Sequence, residues 1–198
     1  MNLQELFENE DEDLYREFID TVKDECDEMI YACHMAKAPI FRGIQGGVQF
    51  PQFKKIRQDR SPIQMSDWKH DLINKALKEL GHAAHRGNSI FCTSDPKIAE
   101  DWGDLCYVIV KDGWSATVFD KKKRGYAFDN LKNVGGASDQ EKYDNIMEAL
   151  LDMEPRTITE PEELAAVIKA GYQDILITGT EYAVIPARMK SVYKRIVV

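Results

Sequence analysis

Residues 87–103, GNSIFCTSDPKIAEDWG, carry the chain's densest grouping of side chains able to handle a polar ligand. Ile90, Phe91 and Cys92 are apolar and favour a strand too short to be a helix. Thr93, Ser94 and Asp95 then offer two hydroxyls and a carboxylate, and Pro96 suits the first position of a helix that Gly103 would end. A strand delivering a hydroxyl-rich corner to a helix N-terminus suits a polar or anionic ligand, although ordinary strand–turn–helix punctuation reads the same way. His82-x-x-His85 is a possible metal pair, but no third ligand is evident, so no metal is expected. Cys26, Cys33, Cys92 and Cys106 form no C-x-x-C pair; they read as small apolar residues in a reducing compartment.

The elements that must position this corner follow from periodicity. Residues 11–37 read as one amphipathic helix with Tyr15, Ile19, Val22, Cys26, Met29 and Cys33 on its apolar stripe. A strand is expected over 39–44, and a long loop over 50–62 carrying Arg57 and Arg60. Ser66 opens a helix that runs to Leu80. Residues 105–110 and 114–119 read as strands paired across the Lys111-Asp112-Gly113 turn. Residues 121–136 carry no assignable pattern. Ser138-x-x-Glu141 and Thr159-x-x-Glu162 read as capping boxes opening two further helices. Strands are expected at 174–178, 181–185 and 192–198. The order implies an α+β fold with a mostly antiparallel core.

Of the 198 residues, 34 are acidic and 26 are Lys or Arg, a net charge of -8. Residues 1–29 hold twelve Asp/Glu and two Lys/Arg, or 2 - 12 = -10, so the remainder carries -8 + 10 = +2. The acidity belongs to an N-terminal segment, 1–38, expected to pack as a helix on a body spanning 39–198. A near-neutral body gives no bulk electrostatic reason to bind nucleic acid. No apolar run is long enough to span a bilayer and the first residues are acidic, so a cytoplasmic protein without a membrane partner is expected.

Three separated segments, Phe41-Arg42-Gly43, Ile90–Ser94 and DILITGTEYAV from Asp174 to Val184, together resemble the ADP-ribosyltransferase superfamily, in its branch with an Arg, Ser-Thr-Ser, Glu signature. The wider pattern of Arg57, Arg60, Pro62, His70, Asn74, Ala99 and Trp102-Gly103 resembles small phage-encoded proteins of this fold. The resemblance spans 39–185 and implies a split, mostly antiparallel β-core.

It further implies a glycosyltransferase using NAD as substrate to modify a host protein or nucleic acid in the host cytoplasm. Arg42, Gly43, Arg60, Phe91, Thr93 and Ser94 would hold NAD, with Phe91 able to stack on nicotinamide. Asp174 or Glu181 would be the carboxylate that stabilises the developing oxocarbenium-like sugar. Two departures stand out. Cys92 fills the first serine slot, and Asp174, one methylene short, fills the glutamate slot. A catalytically inert protein of the same fold, binding a host partner or a nucleotide ligand, is the alternative.

Overall fold

A computed structural model describes residues 15–62, 65–119, 128, 131 and 133–198. Seven α-helices and two four-stranded antiparallel sheets form among them, an α+β architecture. The first sheet has the order β1 (Phe41–Ile44), β4 (Asp104–Val110), β8 (Glu181–Pro186), β2 (Gln52–Lys55). The second has the order β3 (Ile90–Cys92), β7 (Ile175–Thr178), β5 (Ser115–Val118), β6 (Arg156–Ile158). The sheets are stitched together where Phe41 and Thr93 exchange backbone hydrogen bonds, at 2.8 and 2.9 Å.

The expected N-terminal helix is two helices, α1 (Arg16–Glu25) and α2 (Asp27–Ala36), parted at Cys26. The break has a distant cause. Asp112, in the turn after β4, accepts from the amides of Asp27 and Glu28 at 3.2 and 3.0 Å and so caps α2. The apolar stripe itself is buried from Tyr15 to Cys33 and packs into the main core with β4, β8 and the later helices. Residues 11–14 of the expected helix lie outside the described residues.

Other elements also differ from expectation. β4 and β5 do not pair across their turn; they belong to different sheets, because each finds better-buried partners, β1 and β8 for one, β6 and β7 for the other. The expected loop 50–62 contains β2, an edge strand none of whose residues is buried, so its sequence gives no alternating signal. β6, only three residues long, went unanticipated. β7 and β8 flank Gly179-Thr180 but likewise cross from one sheet to the other instead of forming a hairpin.

The expected strand at 192–198 is helical: α7 (Lys190–Val197) buries Val192, Tyr193, Ile196 and Val197, a helical spacing that overrides their β propensity. Tyr193 stacks on Tyr107 of β4 with ring centroids 4.3 Å apart.

The remaining helices follow their local signals more closely. α3 (Asp67–Glu79) starts after Ser66, whose side chain makes no capping bond. α4 (Pro96–Trp102) is capped by Asp95, which accepts from the Lys97 amide at 3.0 Å. In α5 (Asp139–Asp152) Ser138 accepts from the Glu141 amide at 3.1 Å, half of the expected box, while the Glu141 carboxylate accepts from Ala137 N. α6 (Pro161–Ala170) begins at Pro161 without a side-chain cap, so Thr159 does not open it. α3, α5, Phe119, Phe128 and Leu176 enclose a second apolar cluster against the other face of the second sheet. Among the described residues no helix is long and apolar enough to cross a membrane.

Candidate functional site

The seam between the sheets brings distant charged residues together. Arg42 sits mid-β1, where alternation turns its neighbours Phe41 and Gly43 into the core. Its Nη1 donates to the Phe91 carbonyl at 2.9 Å, across the seam, while its Nε is buried without a partner. Gly43 has a packing role under α4: an added Cβ would lie 2.7 Å from Gly103 N and 2.8 Å from the Trp102 carbonyl carbon, and would overlap the Ala99 oxygen. Its lack of a side chain is explained by that close approach.

Arg60 arrives from the segment after β2. Its amide donates to Gly87 O at 2.8 Å and its Nη1 to Ser89 O at 2.7 Å, so it is anchored to the chain entering β3. Its guanidinium lies 5.1 Å from the centroid of Phe91. Arg86, just before the Gly87-Asn88 turn, lies over the same ring at 4.8 Å and over Phe128 at 4.4 Å. Phe91, expected to offer a free face to nicotinamide, is thus engaged by two guanidinium groups and by the edge of Phe128.

Three like charges share this small, partly dry region. Burial pushes the Arg60 guanidinium down to about 10, helped by Arg42 and Arg86. Burial does the same to Arg86, to about 10, against the opposing pull of the Asp174 carboxylate. Tyr182 of β8, 5% exposed, is raised by burial and lies within electrostatic reach of Arg42 and Arg60. Cys92 faces the same two arginines but is fully buried, which drives its thiol up to about 12 and leaves it unreactive.

The hydroxyl corner is committed to local architecture. Thr93, fully buried, accepts from the Asp95 amide at 3.1 Å. Ser94 donates through both its amide and its hydroxyl, at 3.1 and 2.7 Å, to the carbonyl of Tyr172. That fastens the backbone leading to Asp174, which is 7% exposed immediately before β7 and in the field of Arg86. Cys92 and Ile175 are register partners, so Asp174 and Thr93 adjoin across the same strand pair.

Glu181 is directed elsewhere. Successive residues of β8 face opposite sides of the sheet, and Tyr182 is the one facing the arginines. Glu181 instead pairs with Lys111 at 2.8 Å, and Lys111 also pairs with Glu25 of α1. Lys111 holds the Glu181 carboxyl below the usual range.

Beside the cluster, a polar cleft of about 470 Å³ is lined by Gln58, Arg60, His70, Asn74, His85 and Gly87, among others. Burial lowers the pKa of both histidines, and that of His85 reaches about 4. His70 Nδ1 is buried and unpaired, while His85 Nδ1 accepts from the Gly87 amide at 3.2 Å. His82, the other half of the possible metal pair, bonds Thr157 Oγ1 at 2.8 Å. Among the described residues no group of three or more His, Cys, Asp or Glu could hold a metal ion.

The sequence pattern missed Arg86, and it named Tyr182, His70 and Asn74 only within the resemblance and His85 only as half of a possible metal pair, not as members of one region. A lone arginine ahead of a glycine turn carries no periodic signal; it acquires meaning only where the two sheets meet. Comparisons with protein-family models, curated proteins and solved structures found no match to this chain.

Proposed function

We propose that this protein is an NAD-dependent mono-ADP-ribosyltransferase acting on a macromolecular acceptor of a host cell. One observation carries the reading: Arg42, the Phe91–Ser94 corner and the segment fixing Asp174 meet at the seam of two antiparallel sheets, though they lie some 130 residues apart in the chain. Two such sheets also suit the split β-core that the sequence resemblance implies.

The chain's own groups divide the work as follows. Arg42, Arg60 and Arg86 carry +3 against the -1 of Asp174, and 3 - 1 = +2 matches the two negative charges of a dinucleotide's diphosphate. Asp174 is the carboxylate for the ribose. As the C1′–N bond to nicotinamide breaks and its electron pair departs with nicotinamide, Asp174 stabilises the positive charge at C1′. An acceptor nucleophile then forms the new bond to C1′ and releases its proton to solvent or a nearby base. Ser94 and Thr93 serve by holding the backbone around that carboxylate, a positioning task.

The test is incubation of the full chain with labelled NAD and a cell lysate. Transfer of label to protein or nucleic acid is expected. Absence of both transfer and nicotinamide release, with NAD still bound, would favour the alternative of an inert protein of this fold holding a nucleotide ligand. The deep burial of Asp174 is the observation on that side.

A further inference from the structure

Arg86 is a charged residue for which the fold alone offers little reason. Its guanidinium is held between the faces of Phe91 and Phe128, at 4.8 and 4.4 Å. Its Nε is buried with no hydrogen-bond partner, and so is the Nε of Arg42. A buried guanidinium nitrogen left unpaired is costly, and native interiors rarely retain one without a use. Arg60 lies over the same Phe91 ring, 5.1 Å from its centroid, so two planar cations flank one aromatic residue. They repel one another, and Arg42 adds to that repulsion. Arg60 spends one terminal nitrogen on Ser89 O; planar guanidinium groups held by an aromatic face can offer their remaining N–H groups to phosphate oxygens in pairs.

We infer that Arg60 and Arg86 form a two-guanidinium clamp for a diphosphate, with Arg86 the residue on which affinity for that anion turns. Where the diphosphate is taken to be that of NAD, the inference rests on the function proposed above. The clamp itself needs only the anion. A diphosphate presents an oxygen pair to each arginine, whereas a single phosphate satisfies one and leaves the other exposed to its neighbour's charge. A dinucleotide's diphosphate dianion also offsets the net +2 of the cluster, so binding it relieves the repulsion among the arginines.

The experiment is calorimetric titration of the full chain with inorganic pyrophosphate, and separately with orthophosphate and NAD. Pyrophosphate should bind more tightly than orthophosphate. Arg86→Gln should weaken pyrophosphate by roughly ten- to a hundredfold, the worth of one hydrogen bond to a charged group. Arg57→Gln, which removes an exposed arginine paired with Asp59, should leave binding unchanged. Should Arg86→Gln fail to fold, Arg86→Lys keeps the charge but not the planar fork and should still lose affinity several-fold. The clamp is overturned if pyrophosphate does not bind, or if the folded Arg86 variants bind it as the unmodified protein does. If pyrophosphate binding depends on Arg86 but NAD is neither bound nor cleaved, the clamp stands and the transferase reading falls. If Arg86→Gln turns over NAD with unchanged KM, the reverse holds.

Discussion

Ser94 holds the carbonyl of Tyr172 twice, by its amide at 3.1 Å and by its hydroxyl at 2.7 Å, and Tyr172 lies two residues ahead of Asp174. The strand that ends in the hydroxyl corner thereby sets where the carboxylate begins. Ser94→Ala keeps the amide bond and loses the other. Thermal unfolding should show a cost of about 1 kcal/mol, the net worth of one such bond. Nicotinamide release should fall further, roughly tenfold or more, because small displacements of a reacting group are expensive. Unchanged release with the expected loss of stability would mean that Ser94 supports the fold and not the reaction.

Gly43 gives a sharper test of packing. α4 runs so close to β1 that a methyl group there would meet the backbone of Ala99, Trp102 and Gly103. None of those atoms can rotate aside. Gly43→Ala should therefore destabilise by about 1–3 kcal/mol, as overpacked sites do. Arg42 next door would shift as well, so NAD affinity should drop with it. Retained stability would place the helix farther from the strand than described.

Local signals carried some elements and failed at others for definite reasons. The stripe from Tyr15 to Cys33 was legible because burial follows helical spacing, but the break at Cys26 was not, since Asp112 makes it from 85 residues away. Lys111-Asp112-Gly113 looks like a hairpin turn from either side; only the partners of β4 and β5 decide otherwise. At 192–198, valines and isoleucine suggested a strand although Val192, Tyr193, Ile196 and Val197 already had a helix's spacing. The site divided along the same line. Arg42, Thr93, Ser94 and Asp174 stand in recognisable phrases, whereas Arg86 is defined by two aromatic rings, one of them 42 residues downstream.

The buried histidines predict how the fold responds to acid. His85 has its pKa pushed down to about 4, first by burial and then by Lys78 and His70, and burial also lowers His70 and His82. Each therefore takes up its proton at a lower pH in the fold than in the unfolded chain, where histidine titrates near 6.5. Between that value and the folded one, the unfolded state binds more protons, so stability rises with pH and is lost as pH falls. Each histidine contributes at most about 1.4 kcal/mol per pH unit in that window. His85→Gln should flatten the dependence of melting temperature on pH between about 6.5 and 5, above the range where carboxylates titrate. An unchanged slope would show that His85 takes up its proton at the same pH in the folded protein as in the unfolded chain.

The last prediction separates the two candidate carboxylates. Glu181 lies on the face of β8 opposite Tyr182, joined to Lys111 and through it to Glu25, so its charge is directed toward α1. Asp174 immediately precedes β7, beside the hydroxyl corner and in the field of Arg86. Glu181→Gln should leave nicotinamide release intact and move stability only by the small amount an exposed ion pair is worth. Asp174→Ala should abolish release while NAD affinity stays within several-fold, since a group acting on the transition state affects chemistry more than binding. Asp174→Glu reaches about 1.5 Å farther, one carbon–carbon bond, and should raise the rate if the shorter side chain limits the reaction. Both measurements use the same labelled NAD, one following release and the other binding. Activity that survives Asp174→Ala but disappears with Glu181→Gln would move the reacting centre to the far face of β8 and detach it from the arginines.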